Sequence, residues 1–463
     1  MGAQAENLVV LLCDQLQRDV LDVYGGRVPT RAWSTLAGQG AVCERFYCAT
    51  PLCMPTRPSM MTGRWAHSHG ALCFGEGYDT VRAGVPFLPD LLQDAGFAVG
   101  YEGIWHCKRE AADDRRDAYE HFRETGFPYG PYAEACECQG HDPGLSRAAV
   151  NTPTDDGRTD WSFSIPVPRR WDSPLDEHPD MQTARHMADF IRAHAGTQPF
   201  AAWASIGAPH PPLLVPEPFY SMFDPDSFEA PPGFGEQASP LPRNVREDAP
   251  GYQAVLGWSH EQWAIAAAGY HGYAAFADHC LEVVLAALRE TGQMERTLVV
   301  ATADHGEMLG AHNLYQKGVL YDRACRLPAV FCGPGVTVGR YPQLMSHVDL
   351  MPTVLEAFGL TRPEGVQGTS QVDVLRSPGA AGPAYQFVEF NGYIRGGIRT
   401  RAAISEEWKY IWAEGDLEML FHLPVDPDER QNLAMDPGVA GILAAHRAAL
   451  RDWCERTGDI CAP

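Results

Sequence analysis

Cys53 and Arg57 stand four residues apart in the run Cys53-Met54-Pro55-Thr56-Arg57, which sets a thiol and a cation in one short frame beside a proline. One helical turn closes a gap of that length. The guanidinium fork could then hold an anionic oxygen in register with the side chain at position 53. Five residues alone also describe a buried cysteine beside a turn proline and a surface arginine. Two aspartates elsewhere in the chain bear on the choice. Asp14 and Asp304 each follow an apolar run, and each is a hard oxygen donor suited to Ca2+, Mg2+ or Mn2+. Either one alone reads as a turn or cap residue. Together, and flanked by Gln15 and His305, they read as one divalent site that polarises a transferred group. A histidine nitrogen among the oxygens moves preference toward Mn2+ or another transition ion.

The elements that must position these residues repeat one pattern, an apolar strand followed by a chemical group. Leu8 to Cys13 leads to Asp14, Phe97 to Tyr101 leads to His106, Phe200 to Ile206 leads to His210, and Thr297 to Ala303 leads to Asp304. Amphipathic stretches such as Phe87 to Ala95 and Ala274 to Thr291 lie between such runs. That alternation predicts an α/β fold with mostly parallel strands covered by helices on both faces. Ligands of such sheets collect beyond the carboxyl ends of the strands, so the four runs bring Asp14, His106, His210 and Asp304 to one edge. After about residue 375 the pattern changes. Tyr385 to Phe390, Ile394 to Thr400, Trp408 to Trp412 and Asp416 to Leu423 read as short strands, and Asp436-Pro437 opens a helix. The expected division is a catalytic unit over 1–375 and a small α+β unit over 376–463.

A chain of 463 residues has room for a large core and for more than one domain. Its net charge of −23 argues against nucleic acid or an anionic membrane surface as a partner. It leaves a small anionic substrate open, because a metal and a few cations dominate a small site. The apolar run at Leu8 is too short and too little flanked by positive charge for a secretory signal. Thirteen irregularly spaced cysteines then read as reduced thiols in a cytoplasm. Residues 109–180 read as irregular, substrate-shaping sequence with Tyr129, Tyr132, Trp161 and Trp171 as wall candidates, or as aromatics packing loops onto the body. Cys136, Cys138 and His141 lack the second pair that a zinc site needs. Oligomeric state, including a homo-oligomer, is left open.

The frame C-x-P-T-R followed by Thr62-Gly63-Arg64 resembles the signature of the type I sulfatases of the alkaline phosphatase superfamily. There the cysteine is oxidised to Cα-formylglycine by a formylglycine-generating enzyme. The resemblance implies that position 53 carries a hydrated aldehyde: one hydroxyl attacks sulfur or phosphorus, and the other expels the bound group as the aldehyde re-forms. Asp304-His305-Gly306-Glu307 and then Lys317 look like the second family block, with metal ligands at Asp14, Gln15, Asp304 and His305 and a lysine on the substrate anion. His210, between prolines, matches the family histidine that protonates the leaving oxygen. The implied catalytic set is Cys53, Arg57, His106, His210 and Lys317. Gln after the first aspartate and His after the second are similar to phosphonate monoester hydrolases and choline sulfatases.

The implied fold is alkaline-phosphatase-like, with a sandwiched sheet, a smaller C-terminal antiparallel sheet and a terminal helix. The implied activity is hydrolysis of a sulfate monoester. Alternatives are a phosphonate monoester or phosphodiester hydrolase using the same site, and a catalytically silent anion-binding relative. One position departs from the family pattern: Gly103-Ile104-Trp105-His106 stands where sulfatases commonly have G-K-W-H. Either Lys108 or a loop cation replaces that charge, or Ile104 and Trp105 form an apolar wall for a bulky substrate.

Overall fold

Uninterrupted apolar runs make the centre of the sheet. In the computed structural model, which describes residues 5–125, 168–235, 242–245, 257–461 and 463, β1 (Asn7–Asp14) is buried along its whole length. It lies parallel to both its neighbours, β5 (Phe200–Pro209) and β6 (Thr297–Ala303). The other strands of this sheet are β2 (Gly40–Tyr47), β3 (Ala98–Gly103), β4 (His121–Glu124), β7 (Arg326–Leu327), β8 (Ala329–Cys332) and β9 (Gly339–Ser346). The nine-stranded sheet has the order β7-β2-β8-β6-β1-β5-β3-β4, with β9 pairing β2. It is parallel from β6 to β4 and turns antiparallel where β8 joins β6 and β2.

Helices cover both faces, as a largely parallel sheet requires. One group is α1 (Ala32–Gln39), α4 (Pro179–His194) and α5 (His260–Glu290). The other is α2 (Cys53–Thr62), α3 (Leu88–Asp94) and α6 (Leu350–Ala357). The 31-residue α5 starts well before the stretch read from sequence, at a capping box in which Ser259 and Gln262 bond each other's backbone. Its buried side chains are mainly Ala, Tyr and Leu. None of the described helices is long and apolar enough to cross a membrane.

The C-terminal part forms a four-stranded antiparallel sheet, β10 (Gln386–Phe390), β11 (Thr400–Ile404), β12 (Trp408–Ala413) and β13 (Met419–His422), followed by α7 (Ala440–Thr457). Trp453 of α7 stacks on Phe387 at 5.1 Å and meets Trp65 edge-on at 5.2 Å, so the small sheet is packed to the segment after α2. Of Ile394 to Thr400, read as a strand, only Thr400 is one, as the first residue of β11; 394–399 belong to the loop joining β10 to β11. Arg395 there has φ 52°, Gly392 φ 90° and Gly396 φ 84°, left-handed values that break a strand.

A buried charged cluster reinforces that packing. His67 Nδ1 lies 3.0 Å from Glu389 Oε2, and Arg401 bonds Asp459 from the same sheet. Burial pulls the His67 imidazole down, but Glu389 and then Asp459 outweigh it and hold it above its ordinary value. The charged imidazole therefore stabilises fully below about pH 6.5, and that contribution is lost as pH rises through the higher folded value. His67→Gln is expected to lower unfolding free energy in urea by about 1–2 kcal/mol at pH 6 and by less at pH 8.5. An equal loss at both values would remove the imidazole charge from this role.

Candidate active site

Helix α2 begins at Cys53 because Leu52 is still extended, with φ −156° and ψ 130°. The first turn tolerates Pro55, whose missing N–H would be unsatisfied there anyway. Cys53 and Arg57 are each 1% exposed, one turn apart on the same helix. Arg57 Nη2 donates to Asp14 Oδ2 at 3.0 Å, Nε to Asp304 Oδ2 at 3.0 Å, and Nη1 to Ser205 Oγ at 2.7 Å and to the Ile104 carbonyl. A single guanidinium thus joins the ends of β1 and β6, the middle of β5 and the residue after β3. Burial would lower its pKa, and Asp304 and Asp14 override that and raise it. Thr56 Oγ1 and His347 Nδ1 are 2.9 Å apart, and His347 Nε2 is 2.9 Å from the Ala303 carbonyl, so the helix is also tied to the end of β6.

The Cys53 sulfur faces the groups at the ends of β1 and β6. It is 2.9 Å from His305 Nε2 and 3.7 Å from Asp14 Oδ1. His305 Nε2 is in turn 3.7 Å from Asp14 Oδ1 and from Asp304 Oδ1. Donor atoms of Asp14, Cys53, Asp304 and His305 all lie within 4.8 Å of one another. Two oxygens or nitrogens about 2.6 Å from one ion at right angles stand roughly 3.7 Å apart, so Asp14, Asp304 and His305 fit a divalent cation. Charge favours it too. Burial, followed by Asp304, pushes the Asp14 carboxyl up to about 8, and burial pushes Glu307 up to about 7. The Asp14 rise comes in part from the facing Asp304 carboxylate, a crowding of negative charge that a cation relieves.

Gln15 takes a left-handed backbone, φ 63°, that lets its N–H donate to Asp304 Oδ1 at 3.0 Å. Its side chain is turned to other partners: Nε2 donates to Glu307 Oε2, and Oε1 accepts from Lys317 Nζ at 2.5 Å. Lys317 Nζ is also 2.7 Å from His210 Nε2, while His210 Nδ1 is 2.5 Å from the Pro211 carbonyl. Burial first, then Lys317 and His305, hold the His210 imidazole well below its ordinary value. With Nδ1 against a carbonyl oxygen and Nε2 facing Lys317 Nζ, the ring is placed to donate from Nδ1 and to accept at Nε2. His106 follows Gly103, where a Cβ would lie 1.9 Å from the Ser205 carbonyl oxygen, so only glycine lets β3 and β5 close there. The His106 ring meets Phe74 edge-on at 5.6 Å, and burial, with Arg57, lowers it to about 3.

Neither Lys108 nor an open apolar wall answers the departure at Ile104. Lys108 is exposed and paired with Asp79 at 3.0 Å. Ile104 and Trp105 are buried, with Trp105 packed on Tyr101 at 4.6 Å and Ile104 reaching toward Gly207, so they line no open wall. What Ile104 contributes is its carbonyl, which accepts from Arg57, Tyr101 and Ser205. Backbone acceptors leave no mark in a sequence. Ser205, Glu307, His347 and Tyr393 also border the site without having been assigned to it. Ser205 and Glu307 lay within the runs already marked, and their only signal was position. Trp171 packs on His178 at 5.0 Å, and Tyr129, Tyr132, Trp161, Cys136, Cys138 and His141 lie outside the described residues.

Residues 6–360 match the sulfatase family model, and residues 310–455 match the C-terminal model of N-sulphoglucosamine sulphohydrolase. An arylsulfatase of Clostridium perfringens is 26% identical over 450 residues, covering 92% of this chain and 90% of its own. A Delta 4,5-hexuronate-2-O-sulfatase of Bacteroides thetaiotaomicron is 25% identical over 487 residues, covering 99% and 91%. The phosphonate monoester hydrolase of Silicibacter pomeroyi shares the fold, with a TM-score of 0.77, 24% identity and coverage of 99% and 96%. The chain belongs to the sulfatase family. It is a hydrolase of sulfate esters.

Removing the Arg57 side chain leaves Asp14 and Asp304 buried without their shared partner. Arg57→Ala is expected to cost about 3–5 kcal/mol in urea unfolding of the metal-free protein. A loss below about 1 kcal/mol would show that the strand ends hold together without it.

Proposed function

We propose that this sulfatase acts through Cys53 matured to formylglycine and one divalent cation at Asp14, Asp304 and His305, Ca2+, Mn2+ or Mg2+, with Gln15 beside them. The observation that supports this best is the Arg57 guanidinium, which fastens position 53 to both aspartates. Matured, position 53 supplies a hydroxyl nucleophile whose ester is resolved without attack of water on sulfur. The bound cation supplies Lewis-acid polarisation of the sulfate oxygens. Arg57 orients the nucleophile and one anionic oxygen, and its fixed bonds mean that it need not reorganise during reaction. Lys317 neutralises sulfate charge, and the proton shared by Lys317 and His210 is delivered to the leaving oxygen. His106 closes the site on the side of Phe74. The catalytic unit is 1–375 and the smaller unit 376–463.

The substrate is a small sulfate monoester, and the maturing enzyme is a transient partner. Eleven described cysteines are free and buried, which supports a reducing, cytoplasmic setting.

Mass spectrometry of the peptide containing Cys53 is expected to show an aldehyde trapped by hydrazide. Cys53→Ala should abolish turnover with the fold intact, and chelation should do so reversibly. Full activity with only a free thiol, or without metal, would overturn the reading. A panel of aryl sulfate, phosphodiester and phenylphosphonate separates sulfate from phosphorus preference. His210→Ala should slow aryl sulfates most where the leaving phenol is most basic. A uniform loss across the series would take His210 out of proton transfer.

A further inference from the structure

Strand β5 ends irregularly, and the irregularity sits directly before His210. Along β1 the register pairs Cys13 with Ile206 but Asp14 with Pro209, so Gly207 and Ala208 are extra residues that leave the ladder. On the other side β3 pairs with β5 no further than Ser205. Bulges of this kind re-aim a side chain beside a site. Here the chain turns so that His210 N donates to the Gly207 carbonyl at 2.9 Å, and the ring meets Lys317.

The N–H groups that the bulge takes out of the ladder need other acceptors. Asp180, in the first turn of α4, takes both: Oδ1 accepts from Gly207 N at 2.6 Å and Oδ2 from Ala208 N at 3.1 Å. Asp180 is itself only 7% exposed. Two consecutive donors call for two acceptor atoms side by side, which a carboxylate has and an amide lacks. His178, the residue capping α4, holds the far side of the same segment. Its Nδ1 accepts from Asp180 N at 3.2 Å, so Nε2 carries the proton and donates to the Leu214 carbonyl, also at 3.2 Å. The His178 ring is fixed in turn against Phe276 at 4.5 Å. The start of α4 thus grips the chain at 207–208 and at 214, with His210 between.

We propose that Asp180 is a positioning residue for His210, holding the imidazole on the leaving oxygen as the ester bond breaks. Asp180 touches neither substrate nor reacting atoms. It acts by fixing the bulge from which the imidazole projects, with His178 as its support. The proposal rests on the reading above, in which His210 and Lys317 deliver a proton to the leaving oxygen.

The test is a double-mutant cycle on Asp180 and His210, read with the matured, metal-loaded enzyme on aryl sulfates from 4-nitrophenyl sulfate to phenyl sulfate. Asp180→Ala is expected to lower kcat on phenyl sulfate by about tenfold or more and to change KM by less than about threefold. The loss on 4-nitrophenyl sulfate should be much smaller, since a displaced acid matters most where the leaving oxygen is basic. Asp180→Asn, which keeps one acceptor, should recover part of the loss. In a His210→Ala background Asp180→Ala should lower kcat by less than about twofold further, because the group it positions has gone. Losses that multiply, or an Asp180→Ala loss equal on every ester while that of His210→Ala follows leaving-group basicity, overturn the proposal. If His210→Ala itself loses equally on every ester, the proton-transfer reading fails and the cycle alone decides: non-additive losses support Asp180 acting through His210, and multiplying losses remove it. If the natural sequence hydrolyses no sulfate ester, or Asp180→Ala does not fold, hydrogen exchange of Asp180→Asn read by mass spectrometry decides. Faster exchange confined to 207–214 supports the clamp, whereas unchanged exchange there, or faster exchange throughout the chain, removes it.

Discussion

One buried guanidinium organises this molecule. The carboxyl ends of β1 and β6, the middle of β5 and the residue after β3 each present an oxygen to Arg57. Strand ends converging on one edge of a sheet would otherwise repel, because two of those oxygens belong to buried carboxylates. A cation with several donors in a fixed plane satisfies them together, and no ammonium group has that geometry. Because Arg57 lies on α2, the same interaction fixes Cys53 one turn away. Nucleophile position and strand-end electrostatics are thus one problem with one solution.

The balance of charge follows from that arrangement. Asp14, Asp304 and Glu307 are all fully buried near the one edge, with Arg57 and Lys317 as the buried cations beside them. An anionic substrate entering such a place needs further positive charge, and the residues group their open donors where a divalent ion would provide it. The strongly acidic chain as a whole is no obstacle, since local geometry sets the field at this range.

How much of this was legible in the sequence depended on whether position or orientation carried the information. Asp14 and Asp304 stood out because an apolar run ended at each, and the Cys53–Arg57 spacing already implied a helical turn. The mixed sheet and the C-terminal antiparallel sheet were readable from apolar runs and from the change of pattern after residue 375. The loop at Ile394 was misread because Ile394, Ile398 and Thr400 have strand-forming side chains, while the left-handed Arg395 reveals itself only in three dimensions. Ile104 was misread for a related reason. Its side chain drew attention, whereas its carbonyl makes the contact that matters. The turning of Gln15 toward Glu307 and Lys317 is likewise a matter of side-chain direction that spacing does not encode.

The depth of Cys53 carries a consequence for the history of the polypeptide. The residue is 1% exposed, at the start of a helix whose ten residues are all buried. No second protein can wrap an active centre around that sulfur once β1 and β6 have closed on α2. Any enzyme that alters Cys53 must meet it while the segment is still extended, during synthesis or before the sheet assembles. The first residues of β6 are made about 240 positions after Cys53, which at roughly 5–20 residues per second leaves an interval of at least about ten seconds, and up to tens of seconds, before the sheet can close. Folding of this chain therefore acts as a deadline, and molecules that close early are committed to the thiol form.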